Sequence, residues 1–247
     1  MSRVTGREAT GVPILLLHGF TLTGRSWEPV LELLEGADAV APDVRGHGAV
    51  RDLRPIDFAS VSADVAAVAP EGATLCGYSL GGRVALRAAL DHPGRFGRLV
   101  LIGASPGIAD PSEREARRRA DEALAARLDG MTMEAFAREW EQLDVFVTQS
   151  PDVRALARAD RLRNDPRALA AALRGLGAGA MEPLWDRLGE LDVPVTLVVG
   201  ERDHKFIAIA RAMGKRIADA ELVVADGAGH AVHLERPEAV AELLRGP

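Results

Sequence analysis

The chain has 247 residues, 47% of them hydrophobic and 27% charged, the balance of a globular protein long enough to bury a core without metals or disulfides. Its 30 Lys and Arg against 36 Asp and Glu give a net charge of −6, which argues against nucleic acid or an anionic membrane as the main partner. No run reaches the roughly 18–20 apolar residues of a membrane span; Met1 to Thr10 has no apolar stretch of signal-peptide type, and Cys76 has no second cysteine to bond, so a cytoplasmic location is expected.

Short apolar runs alternate with amphipathic segments along the chain. A strand is predicted over residues 13–17, a helix over 26–34, a strand over 37–41 and a helix over 58–68. Strand 73–76 leads into helix 80–91, and strand 98–102 follows. After a long interruption come strand 195–199, helix 206–217, strand 222–225 and helix 237–243. The strands are apolar almost throughout, as in a mostly parallel, twisted sheet covered by helices on both faces.

The interruption, residues 112–175, is rich in Ala, Arg, Glu and Leu and reads as helix after helix, with Pro111, Pro151 and Pro166 at helix starts. It is expected to be a helical lid inserted at residues 105–182 into a core made of 1–104 and 183–247. In such sheets the edge it would cover is where ligands bind.

Gly77-Tyr78-Ser79-Leu80-Gly81 fits the G-x-S-x-G pattern, with a predicted strand before it and a predicted helix after it. That strand–turn–helix setting holds a serine on a strained, exposed turn. Leu80 N–H, at the helix start, and Phe20 N–H, in His18-Gly19-Phe20 after the first strand, are the candidate oxyanion donors. A serine needs an imidazole oriented by a carboxylate, here in the chain order serine, acid, histidine. Two carboxylates follow strand 195–199, Glu201 and Asp203, and His230 follows strand 222–225. His233 is expected at the surface or at a helix start, His204 beside the acid as a residue that lines the pocket, and His18, His47 and His92 in structural roles. No residues have metal-ligand spacing.

Leu17-His18-Gly19-Phe20, Asp43-Val44-Arg45-Gly46-His47-Gly48, the serine turn and Gly229-His230 together resemble the α/β-hydrolase superfamily over nearly the full chain. Gly77 to Arg83, Ala104-Ser105-Pro106-Gly107-Ile108 and Gly200-Glu201-Arg202-Asp203-His204-Lys205-Phe206 resemble, more narrowly, the MenH family of 2-succinyl-6-hydroxy-2,4-cyclohexadiene-1-carboxylate synthases. Arg114 to Asp121 and Arg161-Leu162-Arg163-Asn164 are similar to that family's arginine motifs.

The resemblance implies Asp203 as the acid, a Ser79–Asp203–His230 triad and elimination of pyruvate from a cyclohexene tricarboxylate, without a cofactor. Several arginines suit such a substrate, because guanidinium pairs bidentately with carboxylate. Arg83, one helical turn after Ser79, is the first candidate; Arg117 and Arg161 are the lid candidates, with Tyr78 and Trp140 set to pack against the ring. The alternative is a serine hydrolase acting through an acyl-enzyme on an ester, lactone or carbon–carbon bond. Two features depart from the family pattern. The segment before Pro13 is short, so the first strands of a full sheet are expected to be missing or abbreviated, and His204 stands where a smaller residue is expected. The sequence leaves the oligomeric state open.

Overall fold

The computed structural model describes residues 11–246; the segment read above for a signal peptide lies outside them. Six strands form one parallel sheet: β1 (Ile14–Leu17), β2 (Ala39–Val40), β3 (Ala73–Tyr78), β4 (Phe96–Ile102), β5 (Val195–Gly200) and β6 (Ala220–Ala225), in the order β2-β1-β3-β4-β5-β6. Each crossover carries the chain over one face, so both faces are covered and the strands hold few polar residues.

The period-two alternation of a strand divides its side chains between two cores. Leu15 and Leu17, with Leu75, Leu99, Leu101 and Leu197, face α2 (Phe58–Val68), α3 (Leu80–Asp91) and α8 (His204–Gly214), as Val61, Val65, Val84 and Met213 show. Ile14 and Leu16, with Cys76, Val100, Ile102 and Val198, face α1 (Glu28–Leu33) and α10 (Pro237–Arg245) through Val30, Leu34, Val240 and Leu244. Cys76 is fully buried, and burial pushes its thiol pKa up.

Between β4 and β5 the chain makes four helices: α4 (Pro111–Leu128), α5 (Met133–Trp140), α6 (Pro151–Arg161) and α7 (Pro166–Leu176). Each starts on a polar cap, Asp110, Thr132, Ser150 or Asp165, whose side chain accepts a first-turn N–H. Prolines open α4, α6 and α7, where the missing N–H costs no helix bond. Their own core is small: Leu128, Met133, Phe136, Leu169 and Leu173, against Phe20 and Trp140.

Some bounds differ from the sequence reading. The second strand spans only Ala39–Val40, an edge pairing over two residues with β1. The helix read from residue 26 begins at Glu28, after a 3-10 turn over Gly24–Trp27. Pro29 is tolerated only in the first turn of an α-helix, which fixes that start. A short helix, α9 (Val232–Glu235), follows β6 and has no counterpart in the sequence reading. Among the described residues no helix is long and apolar enough to cross a membrane.

Candidate active site

Ser79 stands between β3 and α3, at the cap of α3, with φ 51° and ψ −104°, a positive-φ backbone that residues other than glycine rarely adopt. Its N–H donates to Ile102 O at 2.8 Å and its carbonyl accepts the Arg83 N–H at 3.0 Å, fixing both ends of the turn. The glycines around it are dictated by space. A Cβ on Gly77 would overlap the Gly81 carbonyl, and one on Gly81 would overlap the Leu17 carbonyl. The turn after β1 is thereby pressed against the start of α3, which brings Phe20 N–H and Leu80 N–H to neighbouring segments. Among the described residues neither N–H meets an acceptor.

Two loops past the C-terminal ends of β5 and β6 are tied to each other. Glu201 N–H donates to Ala225 O at 3.0 Å and Arg202 N–H to Ala228 O at 2.9 Å. This pairing places Asp203, at the cap of α8, against His230. Asp203 Oδ2 lies 2.6 Å from His230 Nδ1, and Asp203 Oδ1 accepts the Phe206 N–H at 3.4 Å. On the other side of the imidazole, Nε2 lies 3.2 Å from Ser79 Oγ. Asp203 and His230 are both buried. Glu201, the rival acid, points away: it is exposed, and its Oε2 accepts the Gly227 N–H at 2.8 Å.

The imidazole is held from further points. Glu235 on α9 accepts the N–H groups on either side of it, Gly229 at 2.8 Å and Ala231 at 3.1 Å. Gly103 must be glycine, since a Cβ there would stand 2.9 Å from His230 Cε1. Phe206 packs on the ring at 4.6 Å between centroids.

Ser79 opens on a cleft of about 550 Å³ between the sheet edge and the inserted helices. Arg83 and Arg117 line it, with Ser105, Ile108, Trp185, Lys205 and Phe206. Arg83 Nη1 donates to Leu176 O at 3.0 Å, and its guanidinium carbon lies 5.8 Å from the Phe58 ring centre. Burial, then the nearby Arg117, lowers its pKa to about 10, so it stays charged at neutral pH. Arg117 is half-exposed and donates to Asp121 Oδ1 at 2.7 Å. Glu113 and Asp110 also reach the cleft, so its wall is not uniformly cationic.

Residues 14–243 match the family described as the alpha/beta hydrolase family. The chain belongs to the alpha/beta hydrolase family. Within it, the chain resembles MenH-type proteins. A 2-succinyl-6-hydroxy-2,4-cyclohexadiene-1-carboxylate synthase of Salmonella newport (strain SL254) is 35% identical over 240 residues, 95% of this chain and 93% of its own length. The structure of MenH from S. aureus has a TM-score of 0.90 at 30% identity, covering 97% of this chain and 94% of that one. A thermophilic esterase from Thermogutta terrifontis, solved with malate bound, has a TM-score of 0.79 at 28% identity, covering 96% of this chain and 89% of that one.

In this alpha/beta hydrolase the remaining candidates fall in different places. Tyr78 is buried under Gly19, with its ring 5.3 Å from that of His230 and 4.3 Å from that of His233. Trp140 packs on Phe20 at 5.4 Å and on Phe136 at 5.3 Å. Arg161 is buried and is not among the residues that line this cleft; it donates to Thr21 Oγ1 at 3.2 Å and to Glu141 Oε1 at 3.3 Å. His18 is structural: Val44 N–H donates to its Nε2 at 2.9 Å, and its Nδ1 lies 2.9 Å from Gly19 O.

Two expectations need correction. His233 does stand at a helix start, the second residue of α9, but not at the surface: it is fully buried between Trp27 and Tyr78, because α9 packs against β5 and the turn over Gly24–Trp27. His204 is exposed at the start of α8 and does not line the cleft; the turn of the helix puts Lys205 and Phe206 there instead. Glu235 carries no distinguishing pattern in the sequence, and Lys205, though inside the Gly200–Phe206 motif, has nothing of its own to mark it as lining the cleft. Glu235 is one of many acidic residues and stands two positions before a helix-opening Pro237, and Lys205 is a single charge beside His204.

Proposed function

We propose that this chain is a carbon–oxygen lyase of menaquinone biosynthesis. It eliminates pyruvate from 2-succinyl-5-enolpyruvyl-6-hydroxy-3-cyclohexene-1-carboxylate to give 2-succinyl-6-hydroxy-2,4-cyclohexadiene-1-carboxylate. The observation that carries this reading is the hydrogen-bonded row Asp203–His230–Ser79, which opens on a cleft walled by Arg83 and Arg117. The name and near-full-length likeness of the Salmonella relative support it.

In this mechanism Asp203 orients His230 and offsets the charge of its protonated ring, and His230 makes Ser79 basic. Ser79, coupled to His230, takes the substrate proton activated by the succinyl ketone. The dienolate oxygen that develops meets the N–H groups of Phe20 and Leu80. The electrons then form the ring double bond as the carbon–oxygen bond to the enolpyruvyl group breaks. The departing enolate regains a proton and leaves as pyruvate. Arg83, and Arg117 through the guanidinium nitrogens not held by Asp121, would bind carboxylates of the substrate. No water or cofactor enters the balance of the reaction.

The second reading, a serine hydrolase working through an acyl-enzyme, draws on the same row of residues and on the likeness to the Thermogutta esterase. Purified protein mixed with the enolpyruvyl cyclohexene substrate separates the two. Stoichiometric pyruvate with little cleavage of p-nitrophenyl acetate supports the lyase. Rapid ester cleavage without pyruvate overturns it.

A further inference from the structure

The turn that follows β1 carries an unusual backbone. Leu22 N–H donates to Gly19 O at 3.2 Å, closing a four-residue turn in which Thr21 occupies the third position with φ 72°. Turns with a positive φ there normally use glycine or asparagine, and a β-branched residue in that conformation is strained. Such strain persists only where the surroundings over-determine it.

What surrounds Thr21 comes from the helical insertion. Asn164, just beyond α6, donates from Nδ2 to Thr21 O at 2.9 Å, while its Oδ1 accepts the Gly48 N–H at 2.9 Å. Arg161 Nε donates to Thr21 Oγ1 at 3.2 Å. Asp160 accepts the Thr23 N–H at 2.8 Å and the Thr23 hydroxyl as well. Thr21, Thr23, Asp160, Arg161 and Asn164 are all at least nine-tenths buried, so water does not substitute for these bonds. Phe20, whose N–H is unused among the described residues, stands immediately before the strained residue and packs on Trp140 of α5.

We propose that Asn164 is a positioning residue: through the Thr21 carbonyl it holds the left-handed turn that aims the Phe20 N–H, so the insertion helps build the oxyanion site as well as roofing the cleft. This rests on the oxyanion role given to Phe20 above. The insertion would then be coupled to the chemical step, because it supplies the bonds that keep the Thr21 backbone from relaxing to an ordinary φ. A misplaced donor raises the barrier while leaving most substrate contacts intact, and is expected to reduce kcat about ten- to a hundredfold.

The test compares Asn164→Ala in the natural chain and in a Thr21→Gly background. Glycine adopts a positive φ without strain, so there the turn should keep its shape with less help. Asn164→Ala is expected to lower kcat for pyruvate release at least about tenfold with KM changed less than about threefold. In the Thr21→Gly background the same substitution should cost under about threefold. Asn164→Asp, which keeps the acceptor for Gly48 N–H but loses the donor to Thr21, should behave like Asn164→Ala.

Phenylboronic acid gives a readout independent of the substrate, since Ser79 Oγ adds to boron and places an oxygen in the oxyanion site. Its affinity should fall in parallel with kcat, and Ser79→Ala should abolish its binding. Thermal unfolding of each variant separates loss of fold from loss of position. Equal cost of Asn164→Ala in both backgrounds, a loss in KM alone, or a boronate affinity unmoved by it or absent in the natural chain overturns the inference. Boronate coupling without any pyruvate release would sink the lyase reading and leave this one standing.

Discussion

Ser79 Oγ, His230 and Asp203 are held by different parts of the chain, and each is fixed by its own backbone. The serine is set by a turn at φ 51°, the acid by the cap of α8, and the imidazole by Glu235 and the space left at Gly103. If the three work as one unit, Ser79→Ala, Asp203→Asn and His230→Ala should each lower turnover by at least about a thousandfold, with effects that do not add. Steady-state rates on the single and double variants, with circular dichroism to confirm the fold, would check this; near-normal activity in any one removes that residue from the mechanism. Glu201→Gln should cost far less than Asp203→Asn, since Glu201 reaches only the Gly227 N–H at an exposed site. A reversed ranking would assign the acid to Glu201.

At the scale of elements, the strands and the serine turn were legible because each has a local signature: an apolar run, a glycine pair, a strand followed by a helix. Bounds shifted where neighbours decide, as at the edge strand Ala39–Val40. The helix α9 was not legible, because Val232–Glu235 is too short to show a period and His233 gives no sign of its burial. The clamp on Thr21 was hidden for another reason: it joins residues more than a hundred positions apart, and only the folded insertion brings Asn164 there.

His233 also makes α9 sensitive to acid. Neither of its ring nitrogens has a hydrogen-bond partner among the described residues, and burial, then the neighbouring His230, lowers its pKa to about 3. His47 is likewise lowered to about 3, by burial and then His18. Both are therefore neutral when folded but take up protons near pH 6.5 when unfolded. The unfolded chain binds more protons between about pH 3 and 6.5, so stability falls as pH drops through that window. At pH 5 each would cost about 2 kcal/mol relative to pH 7. His233→Phe, which keeps an aromatic ring between Trp27 and Tyr78, should remove its share of that loss. Urea midpoints at pH 7 and pH 5 would measure it; an unchanged acid loss in the variant would mean that His233 is charged or solvated when folded.

At the scale of the whole molecule, the lyase proposed above would require a protein of net charge −6 to bind a tricarboxylate, so attraction would have to be local to the cleft. On that proposal Arg83 would carry most of it, because it is rigidly placed: one end of the guanidinium is anchored on Leu176 O, and the group stands over the Phe58 ring. Arg117 is half-exposed and shared with Asp121, which screens it. A charged hydrogen bond made in such a setting is worth about 1.5–3 kcal/mol, roughly ten- to a hundredfold in catalytic efficiency. Arg83→Ala should therefore reduce kcat/KM on the tricarboxylate by about that factor and change cleavage of a neutral ester little. Arg83→Lys should recover only part of the loss, since an ammonium lacks the bidentate fork. Raising the salt concentration should depress turnover of the tricarboxylate more than that of the ester, because it screens attraction at the open mouth of the cleft. Parallel kinetics on both substrates, across a salt series, decide the matter. If Arg83→Ala weakens both alike, its bond to Leu176 O serves the packing of α7 on α3, and the cleft's selectivity for anions must come from Arg117 and Lys205 instead.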